Sequence, residues 1–260
     1  MSDIVLFKMW EPFRQSLIDG HLFYVEQANK RLLSQFDDIE EESKAAYEEW
    51  LKRNAHRFDP DRHDPADFEE AAYDASNEFY LLLSDMREQT VLSVVAGMFH
   101  EWDKKLRDWL AIEIRHWHSG DRAVGKFWSV DFGKIIDFLE CLGWNISDES
   151  WFNKLNACRL VVNVYKHGAG NALDDLKRNH PEYIDDPLKG SSGLLSKMDY
   201  IDHTHLQVSR DKFRAFSDSI VEFWRGIPDN IFSSRVVTLP DWFEKAIQED
   251  RGGQRKSGTP

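Results

Sequence analysis

Leu155-Asn-Ala-Cys-Arg-Leu-Val-Val-Asn-Val-Tyr-Lys-His-Gly-Ala-Gly170 is the stretch on which the fold turns. Laid out at about 100° per residue, it places Leu155, Cys158, Val161, Val162, Tyr165 and Ala169 on one broad face, and Leu160 and Val164 extend the apolar arc. Only a strip roughly 100° wide is polar. It holds Asn156, Arg159, Asn163, Lys166 and His167, with Arg159, Asn163 and His167 on one i, i+4, i+8 ridge. A helix apolar over so much of its circumference belongs inside a bundle, yet buried arginine and lysine are costly unless paired. The strip must therefore meet carboxylates, a partner or a ligand anion.

The flanking sequence carries the same helical period. Leu92, Val95, Phe99, Trp102, Leu106 and Trp109 step by three and four residues, the seam of a helix that packs lengthwise on another. A helical stretch is expected from about Asp67 to Trp117 with a break near Ser84, and two earlier helices over Glu11–Phe36 and Glu40–Ala55. Ser119 to Gly125 reads as a glycine-containing turn, Phe132–Cys141 as a short helix, and Ser147 or Asp148 as the cap of the helix quoted above. A short helix to Arg178 is followed by a polar loop reaching Leu206. Amphipathic segments follow at Ser209–Arg225 and Pro240–Gln248, then a disordered tail from Arg251. The fold class is all-α, a helical bundle over residues 64–228 preceded by a helical region (1–63) and followed by a short helix and tail (229–260).

Composition narrows the function. The 260 residues are 42% hydrophobic, with 10 tryptophans and 17 phenylalanines, enough for a sizeable core. A formal charge of −13 argues against a protein that coats nucleic acid, while a local cationic site remains compatible with it. Cys141 and Cys158, without CxxC spacing, read as reduced core thiols. No signal-peptide pattern or membrane-spanning stretch is visible, so a cytoplasmic protein is expected. The acidic loop Asp59–Asp67 lacks the glycine and closing glutamate of a calcium loop. His116-Trp-His118 and His203-Thr-His205 pair imidazoles two apart without a convergent third ligand. No metal or cofactor is called for, and no phosphate-binding glycine loop or nucleophile-elbow motif is present.

Two readings of the strip follow. In one, Arg159 and Lys166 form salt bridges to acid-rich neighbouring helices, with His167 and Gly168 marking a helix end. In the other, the strip is a phosphate site: Arg159 and Lys166 bind the anion, Asn163 orients it, and His167 supplies an imidazole able to exchange protons near neutral pH.

The order of parts from Asp67 to Pro228 resembles the HEPN superfamily of helical domains. It comprises a long helix with Phe99-His-Glu-Trp102, a short helix, then Cys158-Arg-Leu-Val-Val-Asn-Val-Tyr-Lys-His-Gly168 and a later amphipathic helix. Its local signature here is Asn-x-x-Lys-His-Gly over Asn163–Gly168. The resemblance implies a metal-independent endoribonuclease of toxin–antitoxin or anti-phage type, in which the RNA 2′-hydroxyl attacks the adjacent phosphate. His167 would be the proton-transfer group, Arg159 the phosphate clamp and Asn163 its support. It also implies a homodimer and an antitoxin or other protein partner. The sequence departs from the family pattern in having seven residues between Arg159 and His167 and Val162 directly before Asn163. Eight helical steps separate their Cα atoms by about 12 Å along the axis. The alternative is a non-catalytic HEPN-like module that binds a partner or a nucleotide.

Overall fold

The computed structural model describes residues 3–187, 200–236 and 238–257. Within them the chain is all-α. Its helices are α1 (Glu11–Arg31), α2 (Ile39–Asn54), α3 (Pro65–Arg115), α4 (Asp121–Ser129), α5 (Phe132–Cys141), α6 (Phe152–His167), α7 (Asn171–Asn179), α8 (Arg210–Gly226) and α9 (Asp241–Ser257). Short 3₁₀ turns join several of them, and one small antiparallel pair links β1 (Val5–Lys8) to β2 (Asn230–Phe232). Among the described residues no helix is long and apolar enough to cross a membrane.

α3 is the axis. Asp64 caps it by accepting the Ala66 N–H at 2.9 Å, and Pro65 sits in its first turn, where a missing N–H loses no bond. It runs for 51 residues, or about 76 Å at 1.5 Å each. The break suggested near Ser84 does not occur: no glycine or proline stands between Ala66 and Ala96, and the Ser84 hydroxyl accepts from Arg87 at 3.1 Å. All six seam residues, Leu92 to Trp109, are buried. α2 runs along the first half of α3, while the second half meets α1, α4, α6 and α8. Tyr24 of α1 reaches the Val94 carbonyl at 3.1 Å, across a space at Gly97 that a methyl group would close.

One continuous core, from Phe7 to Ile247, draws on the N-terminal region, the bundle and the C-terminal segment alike. β1 and β2 align Val5 with Phe232, Phe7 with Ile231 and Lys8 with Asn230. Strands this short give no legible period of two. α4 replaces the expected glycine turn, because Asp250 of α9 accepts from Arg122 and Ala123 N–H at 3.0 Å and so caps it from across the molecule. The same carboxylate bonds His118 Nε2 at 2.9 Å. α6 begins at Phe152 without a side-chain cap; Ser147, expected to supply one, bonds Glu140 instead. α9 continues through the tail expected to be disordered, carried onward from a base packed at Phe243, Ala246 and Ile247. The expected polar loop before Leu206 falls largely on residues 188–199, and the end of the tail on 258–260, outside the described residues.

Candidate functional site

The apolar arc of α6 is buried as its periodicity demands: Leu155, Ala157, Cys158, Leu160, Val161, Val162 and Val164 all lie in the core. Burial pushes the Cys158 thiol far above its ordinary range, so it is an inert packing group. Asn156, Arg159 and Asn163 are half-buried, whereas Lys166 and His167 are exposed on the last turn. The helix stops at Gly168, whose φ of 72° favours glycine and whose N–H bonds the Val164 carbonyl at 2.8 Å. Tyr165 and Ser93 join hydroxyls at 2.7 Å and pin α6 to α3.

The polar strip opens into a groove of about 560 Å³ between α3, α5 and α6. Arg159, Asn163 and Asn156 form one wall. Facing them on α3 are His100, Asp103 and Arg107, and from α5 and its approach come Asp131 and Asp137. Lys166 and His167 do not line it, although the Lys166 charge reaches His100.

The charges in this groove are unequally committed. Arg107 is buried, bonded to Asp103 at 2.8 Å and to the carbonyls of Phe127 and Val130, the latter at 2.9 Å. Asp131 caps α5 through the Lys134 N–H at 3.0 Å and pairs with the Lys134 ammonium at 3.4 Å. Arg159 has no such partner. Its Nε and Nη2 both donate to Asn156 Oδ1, at 3.0 and 2.8 Å, and it forms no ion pair with a described carboxylate. Burial pulls it below its ordinary pKa, while Asp175 and Asp131 act at longer range to restore it. Asp175 itself pairs with Arg178 at 3.2 Å. Among the described residues, Arg159 and Lys166 thus make none of the salt bridges expected of them, and Asn156 instead fixes the guanidinium through Nε and Nη2.

His100, an exposed residue at the groove's edge, stands below the ordinary histidine value, first through partial desolvation and then because Lys166 and Lys104 disfavour its charge, against an opposing pull from Asp103. The shift favours the neutral ring, the form that accepts a proton. His100 has no role evident from the sequence alone. The available signal was a polar stripe: His100, Asp103 and Arg107 follow the seam residues Phe99, Trp102 and Leu106 by one position each.

The histidine pairs are engaged elsewhere. His118 holds Asp250, His205 bonds Asp202 at 3.1 Å, and the His203 ring lies 3.6 Å from where a Gly168 side chain would begin. Among the described residues no group of three or more His, Cys, Asp or Glu side chains is placed to hold a metal ion.

No family model, curated protein or solved structure matches the chain.

Proposed function

We propose that the α3–α6 groove binds the phosphodiester of RNA and that the protein is a HEPN-like, metal-independent endoribonuclease, acting as a toxin or anti-phage effector. The observation that carries this reading is Arg159: a half-buried guanidinium, oriented by Asn156 and unclaimed by any described carboxylate, facing an open groove. Such a group favours a phosphate, which accepts from a planar fork and restores the charge balance that burial disturbs. Asn163 adds a neutral donor one turn away.

In the reaction this supports, a neutral histidine takes the proton of the 2′-hydroxyl as its oxygen attacks phosphorus. Arg159 stabilises the charge on the equatorial oxygens, and the 5′-oxygen leaves with a proton from a second acid. The products are a 2′,3′-cyclic phosphate and a 5′-hydroxyl. His100 lines the groove with Arg159. His167 and Lys166 stand one turn beyond it, where a longer strand or a second subunit of a homodimer would meet them.

The exposed position of His167 favours a second reading, a module that binds RNA or a nucleotide without cleaving it. Incubating labelled RNA with the protein in EDTA separates the two. Cleavage to a cyclic phosphate, reduced about a hundredfold or more by Arg159→Ala and by either His100→Ala or His167→Ala, supports the nuclease. Intact RNA bound in a salt-sensitive manner that Arg159→Ala weakens supports the module. If RNA is neither cleaved nor bound, and no free nucleotide binds, both readings fail.

A further inference from the structure

α2 and the first half of α3 form a two-helix arm; the principal contacts of α2 are with α3 and with the 3₁₀ turn that follows α2. Between the two helices lies a surface groove of about 440 Å³. Ala46, Trp50, Ala75 and Phe79 supply its apolar surface, and Glu42, Glu49 and Arg53 stand along its α2 side, Arg53 paired with Glu49. From Ala75 and Phe79 the apolar line continues along α3 through Leu82 and Met86. These four residues step by four, three and four, the spacing of a helix-packing seam. Along the buried half of α3 such a seam is covered by other helices. Here Leu82 is 62% exposed and Met86 59%.

Charge identifies what fits this face. Residues 37–88 hold 17 of the 46 acidic residues and six of the 33 basic ones, so −11 of the formal charge of −13 resides on this arm and its joints. Two such arms brought face to face would repel, which opposes a second copy of the chain as the occupant. Nucleic acid and anionic lipid are opposed for the same reason. An apolar seam inside a field of carboxylates is complementary to a helix whose own seam is flanked by lysine and arginine.

We propose that the α2–α3 arm is a docking surface for a basic amphipathic helix of a partner protein, which lays its apolar seam along Ala75, Phe79, Leu82 and Met86 and its cations against Glu42 and, in exchange with Arg53, Glu49. This surface is separate from the α3–α6 groove, and its test does not depend on RNA.

The probe is a synthetic helix of about three heptads with an alanine–leucine seam and lysine–arginine flanks, compared with a peptide of the same seam and glutamate flanks. Fluorescence anisotropy with the full chain should show binding of the basic peptide that weakens about tenfold or more between low and high salt. The acidic peptide should not bind. Leu82→Asp with Met86→Asp, at exposed positions where the fold should tolerate charge, should abolish binding while thermal unfolding stays unchanged. Glu42→Lys with Glu49→Lys keeps the seam and should shift preference toward the acidic peptide. Binding of the basic peptide equally to wild type and to the Leu82/Met86 variant overturns the proposal, as does binding to neither. A wild-type dimer that the Leu82/Met86 variant dissociates also overturns it, because the seam would then be covered by a second copy.

Discussion

Arg159 is held by an amide where a carboxylate would have neutralised it, and this choice of partner has a measurable signature. A phosphate bound in the groove as proposed would lie near both Arg159 and His100, and would favour the protonated ring that partial desolvation, Lys166 and Lys104 otherwise disfavour. By linkage, affinity for inorganic phosphate should rise as pH falls through the histidine range. Calorimetry at pH 7.5 and 5.5 should show that gain in wild type and its loss in His100→Gln. An equal gain in His100→Gln would mean that the ring is not near the anion. His21 gives the opposite linkage. Buried on α1 and bonded to Ser217 at 2.9 Å, it is lowered by burial from 6.5 to about 4, against the raising effect of that bond. A histidine depressed in the folded state costs stability once the unfolded chain can bind the proton, so the loss starts as pH falls through about 6.5 and is complete near 4. Urea unfolding should show wild type losing about 3 kcal/mol more than His21→Gln over that interval. Arg159 and Asn163 were legible in the sequence because α6 itself sets their face. His100 was not, because its partnership with them is made only when α3 packs on α6.

At the scale of the element, legibility tracks how local the cause is. The α3 seam, its proline and aspartate start, and the Gly168 end of α6 are written within a few residues of where they act. α4 is different: the carboxylate that satisfies its first N–H groups lies about 130 residues later in the chain. Burial works to raise the Asp250 carboxyl, but the bonds from His118, Ala123 and Arg122 outweigh it and leave it below its ordinary value. Asp250→Ala removes the cap and leaves the α4 donors and His118 unpaired, for an expected loss of about 2–3 kcal/mol in chemical denaturation. Gly120→Ala should act on the same joint from the other side, since a Cβ there would fall 2.1 Å from the Asp250 carboxyl carbon. A Gly120→Ala protein as stable as wild type would show that α9 can shift without cost.

For the molecule as a whole, the sequence shows the net charge and its crowding into residues 37–88, while the structure shows which apolar seam that charge surrounds. The helical class was likewise legible throughout, whereas the joining of the two ends was not. β1 waits for a partner more than 220 residues downstream, and α4 for Asp250. A chain emerging from the ribosome can form α3 early, but it holds the apolar residues around β1 and α4 uncovered until β2 and Asp250 have also emerged. Closure then waits for a segment more than a hundred residues after α4, and a product terminated before Asp250 would leave that surface open to aggregation and to proteases.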